Sequence, residues 1–222
     1  EAEITLDEEG EVEAITASAR NDAHRLIEEF MLLANETVAR HLDDRDAPAL
    51  YRVHEPPDPL KVAEFEEFVS GLGHSLSSSS ALVGPRDFQA LVDRIRGTPA
   101  EKPIALLMLR TMQKARYDPA NLGHFGLAAP CYTHFTSPIR RYPDLVVHRA
   151  LRELRRGSMT DQRRLERLTD LPAIARHTSE RERRADEAER ELVQWKKARF
   201  MAGRIGDEFD GFITGVAPVG LF

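Results

Sequence analysis

HFGLAAPCYTHFTSPIRRYPDLVVHRAL, residues 124–151, carries more chemistry than any other stretch of this chain. Its centre, YTHFTSPIRRYPD at 132–144, sets two arginines behind a Thr-Ser-Pro turn and ahead of an apolar run. Ser137 and Pro138 form a helix start signal, since serine can cap a helix and proline fits its first turn. Pro143 then falls inside the first turns and is expected to kink or restart the helix. A helix N-terminus presents unpaired N–H groups and the positive end of the dipole, so it favours an anion. Thr136 and Ser137 can add hydroxyl donors, and Arg140 and Arg141 can grip a phosphate through a bidentate fork. Successive helical residues point about 100° apart, so one arginine can face an anion while the other pairs elsewhere. Phe125, Tyr132, Phe135 and Tyr142 lie close by in sequence, where a base or ribose could stack. The same spacing also fits a capped helix whose arginines pair with Asp144 and with acidic residues near the N-terminus.

That alternative matters because the chain is acidic as a whole. Its 222 residues carry a net charge of -6, with 41% hydrophobic and 31% charged side chains. This is the composition of a soluble globular protein with enough chain to bury a core. Residues 1–70 hold 19 acidic and 6 basic side chains, a net of -13. Residues 139–168 hold nine arginines against four acids, a net of +5. A basic block in an acidic chain suits a polyanion partner. It equally suits a solvated helix face with internal ion pairs, such as Glu153 with Arg149 and Arg156, and charge alone favours this second view. No apolar run approaches the roughly 20 residues of a membrane span. The opening EAEITLDEEG is acidic and unlike a secretory signal, so the chain is expected to begin partway through a longer protein. Cys131, the single cysteine, excludes an internal disulfide and suits a reducing cytoplasm.

Periodicity places the remaining elements. Segments 3–6 and 11–16 flank Glu8-Glu9-Gly10 as a hairpin. Ala23, Leu26, Ile27, Phe30, Met31, Ala34, Val38 and Leu42 fall at helical spacing and predict a long helix over 20–43. A short strand is expected at 49–53. Asp58-Pro59 starts a helix that ends near Gly71 or Gly73. The Ser-rich piece SLSSSSALVG is too short for a domain linker. Helices follow at 85–97 and 100–115; the second, with IALLMLRTM, is apolar nearly all round and reads as buried. A charged helix is expected at 161–202. From Gly206 the texture changes, and DEFDGFITGVAPVGLF reads as strand, turn and strand.

Two other site chemistries deserve weighing. Asp144 and His148 stand at i and i+4, a spacing that can chelate a metal. With no HExxH and with His124 and His134 on separate loop positions, an ion pair or cap is the better reading. Cys131 with His134 as base is three residues apart in a loop, poor geometry for a nucleophilic dyad; a small buried thiol fits better.

The 124–151 stretch closely resembles the hallmark of the ribonuclease II and ribonuclease R (RNB) family of exoribonucleases, in the longer form found on the ribonuclease R side. RNDAHRLIEEFMLLANETVARHL (20–42) resembles a helix that precedes it, and AERELVQWKKARFM (188–201) resembles the family's closing helix. DEFDGFITGVAPVGLF resembles the opening hairpin of an S1 RNA-binding domain. The resemblance implies an α+β fold: residues 1–203 as the helix-rich C-terminal part of a barrel-type RNB catalytic domain, and 204–222 as the first hairpin of an S1 (OB-fold) β-barrel. It implies processive 3′-5′ hydrolysis of single-stranded RNA to nucleoside 5′-monophosphates with magnesium. It also implies a cytoplasmic setting, no membrane partner and a monomeric intact enzyme. By motif, Arg140 matches the arginine at the scissile phosphate, where it would neutralise transition-state charge. Arg141 and Tyr132 are expected RNA contacts of less certain role. Glu189 matches an acid near the 3′-terminal sugars, and Glu29 an acidic contact to the terminal nucleotide. Phe212 and Phe222 match base-stacking positions of the S1 fold.

One departure is large. The family holds magnesium with an aspartate cluster of the DxxxxxDxDD type, and no such run exists in this sequence. LDDRDAPA (42–49) is the nearest acid-rich stretch but lacks the pattern. Without the cluster no two-metal centre can form, so the ligands are expected upstream of Glu1 and the chain alone is expected to be inactive. The alternative is a naturally non-catalytic, RNA-binding or regulatory RNB homologue.

Overall fold

A computed structural model describes residues 2–17, 21–76, 83–211, 213, 216–218 and 220–221. Strands β1 (Ala2–Leu6) and β2 (Val12–Ala17) pair antiparallel as a hairpin, with Gly10 at φ 79° in the turn, a region glycine enters without penalty. Helix α1 (Asp22–Asp43) starts behind Asn21. Asn21 Oδ1 accepts the His24 N–H at 3.0 Å, and His24 Nδ1 accepts the Asn21 N–H, a reciprocal cap. The apolar stripe read from the sequence is present, but only its second half is covered. Asn35, Ala39 and Leu42 are buried, while Leu26, Ile27, Phe30 and Leu33 are each more than half exposed among the described residues.

Two cores follow. Helices α2 (Pro59–Gly71), α3 (Pro85–Ile95) and α4 (Glu101–Thr111) enclose Val62, Phe65, Val69, Phe88, Leu91, Ile95 and Ile104. Phe65 and Phe88 stack with ring centroids 6.0 Å apart. Fully burying side chains of this size stabilises by about 1.5–3 kcal/mol each. Asp58 caps α2 as its sequence indicates, accepting the Leu60 N–H at 2.8 Å. The expectation of a buried α4 is corrected: one face packs against α2 and α3, and Leu109 on another is 68% exposed. The helix also ends at Thr111, before the predicted 115, because residues 116–118 leave to form a strand. The Ser-rich piece at 77–82 lies outside the described residues.

The second core joins α1, α5 (Tyr142–Arg155) and α6 (Asp161–Ala202) through Leu42, Leu50, Tyr117, Val146, Val147, Ala150, Leu171 and Ala175. Glu153 of α5 is held by Arg163 at 3.2 Å and Arg167 at 2.8 Å, both from α6. The sequence suggests pairs with Arg149 and Arg156 instead; the bridge between helices replaces the bridge within one. The hydrogen bond from Arg167 first, then that from Arg163, hold the Glu153 carboxyl down at about 2.

Between the cores, β3 (Tyr51–Val53) and β4 (Arg116–Asp118) pair antiparallel with Tyr51 opposite Asp118. Tyr117 N–H donates to Ser179 Oγ at 2.9 Å, which fastens β4 to α6. Helix α6 has 42 residues with Pro172 inside it, a length of roughly 63 Å. Its far end meets the first hairpin through Lys196 Nζ on Gly10 O and an Arg199–Glu11 ion pair at 2.6 Å. Beyond it, 207–211 carry no strand, and β5 (Val216–Ala217) pairs with β6 (Gly220–Leu221). Among the described residues no helix is long and apolar enough to cross a membrane.

Candidate functional site

The segment between β4 and α5 is irregular in sequence, yet nearly every residue in it is tied down. His54 N–H donates to Gly123 O at 3.1 Å and Phe125 N–H to His54 O at 2.8 Å. The His54 ring locks the same turn: Nδ1 accepts the Gly126 N–H at 2.8 Å, and Nε2 bonds Gln113 O at 2.7 Å. A carbonyl can only accept, so the ring proton sits on Nε2. A Cβ at Gly126 would stand 2.8 Å from His54 Nδ1, and the ring, held at both nitrogens, cannot swing away. Gly126→Ala is expected to destabilise the chain by about 1–3 kcal/mol, read as a lower midpoint in chemical denaturation; an unchanged midpoint would show that the turn relaxes freely.

Asn35 of α1 pins the next part of the segment. Its Nδ2 donates to the Tyr132 hydroxyl at 2.9 Å and its Oδ1 accepts the Phe135 N–H at 3.0 Å. Thr133 Oγ1 donates to Leu50 O at 2.5 Å. Asn35 lies at the 31, 35, 38, 42 spacing of the α1 stripe, and an amide on a buried face is the sequence signal that could have found it. Tyr132 is 6% exposed, edge-on to His124 and His134, so a base could stack on it only if its ring were uncovered. Burial first, then Asp43, push the Cys131 thiol up to about 12, and with it buried no nucleophile stands here.

The arginines come next. The start signal at Ser137 and Pro138 points to a helix from there, but 138–140 form a turn and α5 begins at Tyr142 with Arg141 as its cap residue, extended at φ -125° and ψ 117°. A helix running through 137–142 would have to carry Pro143 in its interior, with a clash against the Ile139 carbonyl; starting at Tyr142 puts the proline in the first turn, where no bond is lost. The turn is closed by Asp144, which is fully buried. Asp144 Oδ1 accepts the Ser137 N–H at 2.8 Å and the Arg141 Nη2 at 2.8 Å. Arg140 N–H and Arg141 N–H both donate to Ser137 O, at 3.3 and 3.0 Å. Arg141 is thereby spoken for. Arg140 sits at the exposed tip beside a fully exposed Ile139, with no ion-pair or side-chain hydrogen-bond partner among the described residues. His148 Nε2 bonds Phe135 O at 2.8 Å and its ring stacks on Phe135 at 4.1 Å, so Asp144 and His148 do not chelate together.

Arg140 lines a cleft of about 780 Å³ between this turn and α6. Tyr117, Arg141, Tyr142 and Pro143 form one side; Ala173, Ile174, His177, Thr178, Arg181 and Glu182 of α6 form the other. The cleft's one carboxylate, Glu182, is bound by Arg52 of β3 at 2.5 Å, and Arg52 lies over the Tyr117 ring at 4.8 Å. Tyr117 Oη is 2.8 Å from His134 Nδ1. Burial first, then Glu182, raise the Tyr117 hydroxyl to about 12. Burial first, then Arg141 and Arg52, lower His134 from 6.5 to about 3. The folded chain therefore refuses a proton that the unfolded chain takes up near pH 6.5. Stability is expected to fall as pH drops from about 6.5 towards about 3, with His134 contributing up to about 1.4 kcal/mol per pH unit. His134→Gln should flatten that slope in denaturation curves taken across the window; an unaltered slope would exclude His134 as its source.

The other residues singled out by the sequence stand apart. Glu29 on α1 and Glu189 on α6 are exposed, and neither lines the cleft. Phe212 and Phe222 lie outside the described residues. Among the described residues no group of three His, Cys, Asp or Glu side chains could hold a metal ion, so the chain's described donors do not fit a magnesium centre. His177 and Arg181 were not singled out: their place in the cleft arises only when α6 is folded across the turn, whereas the pairing of Arg141 with Asp144 is the ion pair that the sequence offers.

These features agree with known proteins. A family model described as RNB domain matches residues 1–157, and the chain belongs to the RNB family. Ribonuclease R of Aquifex aeolicus (strain VF5) is 49% identical over the whole chain, which spans 31% of that protein's length. The solved Mycoplasma genitalium RNase R in complex with ribose methylated single-stranded RNA matches with a TM-score of 0.93 and 32% identity, over 100% of this chain and 35% of that one. The helix-rich α+β architecture is therefore that of ribonuclease R structures. Yeast Ssd1, described as a pseudonuclease, matches with a TM-score of 0.59 and 30% identity, over 73% of this chain and 19% of that one.

Proposed function

We propose that this chain is part of a processive, magnesium-dependent 3′-5′ exoribonuclease that hydrolyses single-stranded RNA to nucleoside 5′-monophosphates. The observation that carries this is Arg140, a guanidinium without a counter-ion among the described residues, presented to a cleft by a turn that a buried carboxylate holds closed. In that place it accepts a phosphodiester and neutralises the charge that builds on its oxygens during displacement. Arg141 acts on the backbone through Asp144 and fixes where Arg140 points. Tyr132 serves the same frame from below. Glu189 and Glu29 are proposed to meet the terminal nucleotide on surfaces outside the cleft, and Phe212 and Phe222 to stack bases at the start of an S1 domain over 204–222. The metal ligands are assigned to residues outside this chain, so the chain alone binds RNA without cutting it. The intact enzyme is proposed to be a cytoplasmic monomer. Full-length protein containing this chain should release nucleoside 5′-monophosphates from 3′-labelled RNA when magnesium is added, and the 222-residue chain should not. Full-length protein that binds the RNA and leaves it intact would establish the second reading, a non-catalytic RNA-binding homologue, which the likeness to a pseudonuclease favours.

A further inference from the structure

Charge in the cleft does not balance. Arg140, Arg141, Arg181 and Glu182 line it. Arg141 is compensated by Asp144 at 2.8 Å and Glu182 by Arg52 at 2.5 Å. That leaves two guanidinium groups, Arg140 and Arg181, with no ion-pair or side-chain hydrogen-bond partner among the described residues, on opposite walls of one cleft. The helix itself offers Arg181 no partner. Its neighbours one turn away are His177, Thr178, Arg184 and Ala185, none of them a carboxylate. The same cleft is also lined by Tyr142, Pro143, Ala173 and Ile174, apolar or aromatic surface against which a sugar or base can lie. An exposed cation usually belongs to a solvated helix face, but such a face does not repeat an uncompensated arginine across a cleft from another.

We propose that Arg181 is a second phosphate-binding residue, holding the phosphate adjacent along the strand to the one that Arg140 holds. The inference rests on the RNA-binding reading of the cleft. The two arginines, one on the turn and one on α6, then do different work. Arg140 acts where charge develops, so its loss lowers kcat. Arg181 grips a phosphate that does not react, so it binds ground state and transition state alike, and its loss raises KM with kcat unchanged.

The test is RNA binding by full-length protein containing this chain, in EDTA so that no hydrolysis intervenes, measured against salt concentration with a fluorescently labelled single-stranded oligonucleotide. Each phosphate neutralised on a single strand contributes about 0.7 to the slope of log affinity against log salt. Arg181→Gln is expected to reduce that slope by about 0.7, while Arg155→Gln, the same charge change at the far end of α5, leaves it unaltered. With magnesium restored, Arg181→Gln should raise KM and keep kcat. A wild-type slope in Arg181→Gln would overturn the inference, as would an equal loss in Arg155→Gln, which would mean a diffuse field rather than a contact. Wild-type protein that binds no RNA would instead remove the functional reading beneath it.

Discussion

Arg140→Ala in full-length protein is expected to lower kcat for RNA hydrolysis by roughly 10²–10³-fold, the loss typical of removing one preorganised donor from a developing negative charge. The fold is expected to survive, because Arg140 is exposed and has no side-chain hydrogen bond or ion pair among the described residues. The thermal midpoint should therefore stay near that of wild type, while RNA affinity should fall with the loss of one phosphate contact. Lysine in place of arginine restores the charge but not the planar fork, so Arg140→Lys recovers only part of the rate. Single-turnover hydrolysis of 3′-labelled RNA measures the chemical step directly. A rate within a few-fold of wild type would remove Arg140 from the reaction and leave the turn as structure alone.

Asp144→Ala acts one layer down and strikes stability. The wild-type carboxylate is fully buried and receives both the Ser137 N–H and the Arg141 guanidinium at 2.8 Å. Deleting it strands a charge that is itself 21% exposed, and breaking a buried pair from one side costs about 3–5 kcal/mol. For a chain of this size that corresponds to a fall of roughly 6–20 °C in thermal midpoint. Asp144→Asn, which keeps an acceptor for Ser137, should lose less. A midpoint shift below about 2 °C in the alanine variant would mean that the turn is held by other contacts.

Much of this architecture was legible from residue spacing. The 20–43 helix, the Asp58-Pro59 cap and the 161–202 helix each follow from local signals that the tertiary fold does not contest. The 137–143 region is different, because it holds two competing starts. Ser-Pro at 137–138 is a good helix opening alone, and only the conflict with Pro143, resolved by the reach of Asp144 back to Ser137, moves the start to Tyr142. The burial of α4 was misread because an apolar composition says nothing about how many neighbours surround a helix; here one face is packed and Leu109 is left out. The division of labour between Arg140 and Arg141 was left open by spacing, and a single carboxylate decides it. Arg181 carried no signal at all. It is one of several arginines on a charged helix, and its meaning depends on Arg52 having taken Glu182, 130 residues away in the chain. The family, by contrast, was readable from the long 124–151 motif, since so many residues in it are engaged in specific bonds.

The central claim is that the cleft between the 138–141 turn and α6 holds RNA through Arg140. A crystal structure of full-length protein with a short single-stranded RNA that it cannot cut tests this most directly. The account predicts a phosphate within hydrogen-bond distance of the Arg140 guanidinium, inside the cleft. RNA bound elsewhere, with Arg140 left in solvent, would contradict it.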